Sequence, residues 1–177
     1  NTDGVGLVND ITRNAGVALQ GCRLLLLGAG GAAAGVLGPL IEAGPSHITI
    51  ANRSADRAVA LQARHSALAA QHGVALQACS LTDIEGAYNV VVNATASSLG
   101  GAAVPVPGSV LAPGALALDM MYGPAAQGFM AWAKEHGATP RDGLGMLVEQ
   151  AAESFAVWRG VRPPSAQVLA ELRATLT

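Results

Sequence analysis

Short apolar runs alternate along this chain with longer segments rich in alanine and leucine. The first run, residues 22–27, is followed at once by glycines and then by an alanine-rich stretch that extends to Ala43. A compact apolar run, a glycine turn and a longer segment predict a strand, a tight turn and a helix. A second run, residues 47–51, precedes a long segment that ends near His72, and this pattern predicts another strand and helix.

Further strands are predicted at residues 74–78, 88–93 and 115–119, where apolar runs are bounded by glycine or polar residues. Helices are predicted at 3–13, at 129–136 and twice near the chain's end, where apolar residues recur at helical spacing. The recurring residues of those two helices are Leu144, Leu147, Val148, Ala151, Phe155 and Trp158 in the first, and Val168, Leu169, Leu172 and Leu176 in the second. Because parallel strands need crossover connections, this alternation predicts the α/β class: a doubly wound, Rossmann-like parallel sheet with helices on both faces. The glycine- and proline-rich segment 97–114 is long enough that we expect a functional loop.

A glycine turn joins the first predicted strand to its helix. It follows the pattern G-x-G-x-x-A, with the residues Gly28, Ala29, Gly30, Gly31, Ala32 and Ala33. The first glycine of such a pattern permits the turn, the second lets a pyrophosphate approach the backbone, and the small third residue lets the helix pack on the strand. The helix N-terminus then offers N–H groups to the phosphates. A turn that serves packing alone is the alternative, but the position directly after a strand favours a dinucleotide site.

The end of the second predicted strand distinguishes the two nicotinamide cofactors. An NAD site usually has Asp or Glu about 20 residues beyond the glycines, where the carboxylate accepts hydrogen bonds from the ribose 2′-hydroxyl. This chain has Asn52, Arg53 and Ser54 there, and Arg57 follows one helical turn later. Arginine binds a 2′-phosphate through charge-assisted hydrogen bonds, so the predicted cofactor is NADP. The alternative is that both arginines are solvated residues of the helix surface.

Composition and charge argue against several classes of partner. The 177 residues are 51% hydrophobic and 12% charged, with a formal net charge of -2. This composition suffices for one domain with a buried core, and the absence of a basic run argues against nucleic acid and membrane partners. Cys22 and Cys79 lie in apolar runs, where a free thiol acts as a small hydrophobe. The 4 histidines are too scattered to predict a metal site. We expect a cytoplasmic protein with small-molecule partners.

Several motifs together resemble the shikimate dehydrogenase family and occur in the family's order. They are Asn1-Thr2-Asp3-Gly4, the Gly28 turn, Asn52-Arg53-Ser54, Asn93-Ala94-Thr95, Asp119-Met120-Met121-Tyr122 and the run from Asp142 to Gln150. Many dehydrogenases share the glycine turn, whereas the opening motif and the run from Asp142 to Gln150 are far more specific. The resemblance implies an enzyme of aromatic amino-acid biosynthesis that reversibly reduces 3-dehydroshikimate to shikimate with NADPH.

The resemblance also implies that two domains share the catalytic groups. Oxidation of a secondary alcohol requires a positioned base, and in the family a lysine paired with an aspartate has this role. Asp3 matches that aspartate, both as a catalytic residue and as a substrate contact. From the residues alone, Asp3 could equally cap the helix that follows it. The family's lysine belongs to the substrate domain, and the one lysine of this chain, Lys134, lies in a helix-like stretch where we expect a solvated side chain.

The remaining matched positions are implied contacts of substrate or cofactor. The substrate contacts are Tyr122 and Gln150, although a core tyrosine and an ordinary surface glutamine are the alternatives. The implied cofactor contacts are Met120, Gly143 and Met146 beside the nicotinamide, and Asn93, Ala94 and Thr95 at the cofactor's edge. Methionine more often fills a core, and an asparagine at a strand end often stabilises a turn.

We therefore expect residues 1–177 to form an NADP-binding domain, with residues 1–15 and 165–177 as helices that lead toward a substrate domain upstream of Asn1. The apolar stripe of the last helix would pack partly against that domain, and without it would favour a homodimer or leave the helix poorly ordered. The chain alone is expected to be inactive. The alternatives are a quinate/shikimate dehydrogenase that uses NAD or NADP and a non-catalytic NADP-binding module.

Overall fold

The computed structural model describes residues 1–96 and 104–176 and contains a six-stranded sheet. The strands are β1 (Arg23–Leu27), β2 (His47–Asn52), β3 (Ala75–Ser80), β4 (Tyr88–Asn93), β5 (Leu111–Asp119) and β6 (Thr139–Arg141). The helices are α1 (Asp3–Asn9), α2 (Gly31–Glu42), α3 (Ala55–Gln71), α4 (Gln127–Glu135), α5 (Leu144–Arg159) and α6 (Ser165–Leu176). A π-helical turn, Asp10–Asn14, continues α1, and 3-10 turns lie at Gly108–Val110 and Gly123–Ala126.

The sheet is parallel throughout, with the strand order β3-β2-β1-β4-β5-β6. This order confirms the predicted doubly wound architecture. The chain moves outward from β1 to β3 on one side and then returns to place β4 on the other side of β1. In open α/β sheets, ligands bind outside the carboxyl ends of the strands at such a reversal. A binding site is therefore expected between β1 and β4.

Alternate side chains of the strands supply a hydrophobic cluster on each face of the sheet. On β1, Leu24 and Leu26 belong to the larger cluster, which includes residues of α1, α2 and α3. Leu25 and Leu27 belong to the smaller cluster, which includes Phe129 of α4. All four leucines are fully buried. Because both faces are covered, β1 can be apolar at every position, which explains its unbroken run of leucines.

Helix α1 is an integral part of this core. Leu7 is fully buried in the larger cluster. A Cβ placed on Gly4 would clash with Pro39 of α2, and one placed on Gly6 would lie 2.7 Å from Cβ of Gln150 on α5. Glycine at both positions thus lets α1 pack closely on two helices. The segment predicted to lead toward another domain is itself packed within this one.

β3 runs two residues past its predicted end, and two other strands differ more from the sequence-based expectation. β5 begins at Leu111, before the expected start at residue 115, and β6 was not predicted. The first half of β5 contains the exposed residues Pro113 and Gly114, which are rare in strand interiors. β6 contains Pro140 and no apolar run, and it lies at the edge of the sheet, where proline is tolerated. The part of the predicted functional loop at residues 97–103 lies outside the described residues.

The apolar face predicted for α5 is not buried along its whole length. Leu144 and Val148 of that face are buried, but Ala151 is exposed, Phe155 is 43% exposed and Trp158 is 79% exposed. The reason is the extent of α1, which runs antiparallel to α5. The hydroxyls of Thr2, just before α1, and Ser154 lie 3.0 Å apart in a hydrogen bond. Residues beyond Ser154 therefore have no turn of α1 beside them.

The described helices and polar clusters bear on membrane and metal binding. Over residues 1–96 and 104–176, no helix combines the length and apolar character needed to cross a membrane. The same residues contain no cluster of three or more His, Cys, Asp or Glu side chains able to hold a metal ion. Cys22 and Cys79 are free thiols, and burial raises the pKa of Cys22 to about 11.

Candidate functional site

A cleft of about 620 Å³ opens at the carboxyl ends of β1, β2 and β4, where the strand order reverses. The glycine turn forms one wall, the end of β2 and the start of α3 form the second, and residues that follow β4 form the third. The lining residues are Gly28, Ala29, Gly30, Gly31, Ala32, Asn52, Arg53, Arg57, Leu81, Ala94, Thr95, Ala96, Pro105 and Met121. Leu81, Ala96 and Pro105 were not selected from the sequence, because no motif marks them, and Met121 was not selected although it lies in the motif from Asp119 to Tyr122.

The glycine turn presents bare backbone to this cleft. Gly28 has a φ of +109°, and a Cβ there would lie 3.0 Å from the carbonyl oxygen of Ala94, so both conformation and space require glycine. A Cβ placed on Gly30 or Gly31 would meet nothing within 4 Å, so these two residues border open space. Gly30 is the N-cap of α2 and supplies no side-chain cap. The first N–H groups of α2 are therefore directed to an anion-binding position beside the turn.

The second wall carries positive charge. Arg53 and Arg57 both line the cleft and both are exposed. Asn52 donates a hydrogen bond from Nδ2 to the carbonyl oxygen of Ser54 at 3.0 Å, which holds the turn between β2 and α3. Ser54 itself is exposed and lies outside the lining. No Asp or Glu is among the described residues that line the cleft, so the electrostatic pattern expected for an anionic group is present.

The residues predicted near the nicotinamide are more buried than the cleft lining. Met120 is half-buried and packs against the larger cluster, whereas its neighbour Met121 lines the cleft. Met146 is 5% exposed in that same cluster. Gly143 is buried, and a Cβ there would clash with the backbone of Met120. The contact of Met120, Gly143 and Met146 with a cofactor remains a prediction.

Asp3 is the first residue of α1, and the N-cap is Thr2. The interpretation of Asp3 as the helix cap is therefore wrong. The carboxylate is half-buried, and its Oδ2 would lie 3.4 Å from a Cβ placed on Gly35, one turn into α2. One turn further along α1, Gly6 contacts Gln150 of α5. Helix α1 thus places Asp3 beside α2, the helix that follows the glycine turn, and packs on α5, which carries Gln150.

Tyr122 follows the carboxyl end of β5 and is 45% exposed. This exposure excludes the interpretation of Tyr122 as a core residue.

Lys134 is exposed on α4, which packs through Phe129 in the smaller cluster, whereas α1 packs in the larger one. Asp3 and Lys134 therefore lie on opposite faces of the sheet and do not form a catalytic pair.

Comparison with protein families matches residues 10–100 to the family described as shikimate / quinate 5-dehydrogenase. Residues 143–173 match the shikimate 5′-dehydrogenase C-terminal domain. A relative from Methylibium petroleiphilum named shikimate dehydrogenase (NADP(+)) is 70% identical over 176 residues, which cover 99% of this chain and 60% of the relative. The chain thus spans about 60% of the length of the curated relatives it matches first.

Two solved structures are similar in fold and sequence. The Ael1 enzyme from Pseudomonas putida has a TM-score of 0.88 and 45% identity, with 97% of this chain and 62% of that chain covered. Shikimate 5-dehydrogenase from Thermus thermophilus, in complex with NADP(H) and shikimate, has a TM-score of 0.77 and 30% identity, with coverage of 99% and 63%. The assignment to a family rests on the match of residues 10–100, which include the glycine turn, the arginine wall and the end of β4. The chain belongs to the shikimate/quinate 5-dehydrogenase family.

Proposed function

We propose that this chain is the NADP-binding part of an oxidoreductase that reversibly reduces 3-dehydroshikimate to shikimate. The observation that carries the proposal is the cleft at the strand reversal, with a bare glycine turn on one wall and two arginines on another. This arrangement fits a phosphorylated dinucleotide. The open space beside Gly30 and Gly31 accommodates a pyrophosphate against the first N–H groups of α2.

The arginine wall favours NADP over NAD. Arg53 and Arg57 lie four residues apart at the start of α3 and line the same cleft, so both guanidinium groups can reach a 2′-phosphate. The described lining contains no carboxylate that would accept a hydrogen bond from a free ribose 2′-hydroxyl or repel a phosphate. The names of the relatives support the same cofactor, since the Methylibium petroleiphilum protein is named for NADP(+).

The substrate is proposed from the family and from the position of three polar residues. The Thermus thermophilus enzyme was crystallised with shikimate, and its name gives the same activity. When bound, NADPH supplies the hydride that reduces the substrate's carbonyl carbon. We propose that Asp3, Gln150 and Tyr122 contact the substrate, because Asp3 and Gln150 border the α1–α5 contact and Tyr122 is exposed at the end of β5.

Reduction of the carbonyl also requires a proton, which a general acid must deliver to the developing alkoxide. Asp3 is a carboxylate and cannot be the donor while ionised, so it needs a partner. Lys134 is on the opposite face of the sheet. We propose that the partner is a lysine outside these 177 residues, in a substrate domain, and that Asp3 orients it.

The cofactor proposal is tested by titrating NADPH and NADH into the chain and following the fluorescence of the reduced nicotinamide. NADPH is expected to bind more tightly, and Arg53→Ala should weaken NADPH binding by about 1.5 to 3 kcal/mol, the range for hydrogen bonds to charged groups. Arg64→Ala is the matched control, because Arg64 is an exposed arginine of α3 outside the cleft. Equal affinity for the two cofactors, unchanged by Arg53→Ala, would contradict the proposed specificity.

The activity is tested by adding a separately expressed substrate domain from a longer protein of the family. The chain alone is expected to show no NADP⁺ reduction with shikimate, and the mixture should restore it. A chain that binds NADPH but remains inactive with every substrate domain supplied would favour the non-catalytic NADP-binding module. Turnover by the pure chain alone would require a base other than the proposed lysine.

A further inference from the structure

Two polar side chains are buried side by side where the central strands β4 and β5 end. Asn93 and Asp119 are paired in register across these strands and are 2% and 0% exposed. Asn93 donates a hydrogen bond from Nδ2 to Oδ2 of Asp119 at 3.1 Å. The preceding residues of the two strands, Val92 and Leu118, are buried and aliphatic. Burying an amide and a carboxylate costs free energy that an aliphatic pair would not cost.

Each member of the pair fixes a residue of the cleft wall two positions further along the chain. Oδ1 of Asn93 accepts hydrogen bonds from the backbone N–H of Thr95 at 3.1 Å and from the Thr95 hydroxyl at 2.7 Å. Oδ1 of Asp119 accepts a hydrogen bond from the backbone N–H of Met121 at 2.9 Å. Thr95 and Met121 both line the cleft, whereas Asn93 and Asp119 do not. The pair therefore lies behind the cleft lining and fixes the positions of Thr95 and Met121 within it.

The same hydrogen bonds extend to both ends of the site. On one side, a Cβ placed on Gly28 would lie 3.2 Å from Cγ2 of Thr95, so the wall packs directly on the glycine turn. On the other side, Gly143 donates its N–H to the carbonyl oxygen of Met121 at 2.9 Å, immediately before α5 begins. A continuous path of contacts thus runs from the glycine turn through Asn93 and Asp119 to the start of α5.

We propose that Asn93 and Asp119 are positioning residues for the cofactor: they set the separation between Thr95 and Met121 in the cleft lining without touching the ligand. For Asn93, this role replaces the direct cofactor contact that the family resemblance implies. This inference rests on the proposed binding of NADP. It assigns to the pair a role in affinity, because a rigid wall reduces the ordering cost of binding. A pair that served stability alone would change the free energy of unfolding and leave the affinity of the folded protein unchanged.

An exchange of the two side chains provides the test. Asn93→Asp alone places two carboxylates against each other, and Asp119→Asn alone leaves an amide facing an amide. In the double variant Asn93→Asp/Asp119→Asn, the new carboxylate can still accept from Thr95, the new amide can donate across the strands, and its oxygen can still accept from Met121. The double variant thus retains the donors and acceptors of all these contacts with the members of the pair interchanged.

For each variant, the NADPH dissociation constant is measured without urea, where the protein is folded. The urea midpoint is measured separately. We expect each single variant to weaken NADPH binding by about tenfold or more, since one hydrogen bond to a charged group corresponds to about that factor. The double variant should return to within about threefold of the unaltered chain. Backbone hydrogen exchange should be faster at Met121 in Asp119→Asn and slow again in the double variant.

Val90→Ala is the control for stability alone, because Val90 is a fully buried residue of β4 away from the cleft lining. This variant should lower the urea midpoint through its cavity and leave the NADPH dissociation constant unchanged. If the unaltered chain binds NADPH and the single variants bind it equally well, or if the folded double variant stays as weak as the single variants, the positioning role is wrong. If the unaltered chain does not bind NADPH, the proposed function fails and this inference fails with it.

Discussion

Replacement of Asp10 by asparagine should destabilise this domain strongly, because Asp10 is a fully buried carboxylate paired with one arginine. The side chain of Asp10 is 0% exposed and that of Arg141 is 18% exposed. Arg141 donates from Nε at 2.7 Å and from Nη2 at 2.5 Å, and Asn14 donates from Nδ2 at 2.9 Å. The hydrogen bonding of Arg141 to Asp10 raises the pKa of Arg141, so its guanidinium stays charged. Asp10→Asn would therefore leave a largely buried cation without its counterion.

The expected loss follows from the burial of the pair. Removing one partner of a buried ion pair costs about 3 to 5 kcal/mol. Arg141 retains some contact with solvent, so we expect the lower end, about 3 kcal/mol. Against a total stability of about 5 to 15 kcal/mol for a domain, this is a large fraction. Asp10→Leu combined with Arg141→Met removes both charges and should cost far less than Asp10→Asn, because no unpaired charge remains.

The measurement is urea denaturation at pH 7, followed by tryptophan fluorescence and circular dichroism. Glu153→Gln is the matched control, since Glu153 pairs with Arg162 on a more exposed surface, where the side chains are 29% and 35% exposed. Its loss should be below about 1 kcal/mol. The reasoning is refuted if Asp10→Asn costs no more than Glu153→Gln, or if the double variant is as unstable as Asp10→Asn.

Three further predictions concern other parts of the chain. Burial raises the pKa of Cys22 from 9.0 to about 11, so the thiol ionises first in the unfolded chain and the free energy of unfolding should fall between about pH 9 and pH 11. The urea midpoint should fall less over this pH range in Cys22→Ala, and an equal fall in both proteins would contradict the role of Cys22. Gly143→Ala should lower the urea midpoint and weaken NADPH binding, because its Cβ would clash with the Met120 backbone, whereas Gly128→Ala, which meets nothing within 4 Å, should not. Val168 and Leu172 of α6 are each 38% exposed, so sedimentation should show self-association of the chain at high concentration. Replacing both residues by lysine should abolish it, and a monomer at every concentration of the unaltered chain would contradict the prediction.

The parallel sheet and the glycine turn could be predicted from the sequence because both depend on local patterns. The run of four leucines in β1 is buried on both faces, and its apolar character is continuous along the chain. Gly28 must be glycine both for its φ and for the approach of Ala94, and a turn pattern reports the first of these directly. The arginine wall could also be predicted, because Arg53 and Arg57 follow the end of β2 within one helical turn.

The buried polar contacts could not be predicted, because they join residues distant in sequence. Asp10 and Arg141 are 131 residues apart, and Asn93 and Asp119 are 26 apart. A helical pattern also gives no sign that Glu149 is buried. Glu149 is 2% exposed, and Arg162, in the segment before α6, donates a hydrogen bond to its carboxylate at 2.8 Å.

The packing of α1 bears directly on how the proposed catalytic pair would form. Helix α1 is fixed at both ends, by the hydrogen bond of Thr2 with Ser154 of α5 and by the ion pair of Asp10 with Arg141 of β6. Asp3 lies between these points, so its position relative to the glycine turn is determined within this domain. On the proposed function, a movement of the substrate domain would then change the distance from its lysine to Asp3 but not the distance from Asp3 to the cofactor. If that proposal holds, the lysine would meet an aspartate whose position is already fixed by the contacts of α1 with α5 and β6.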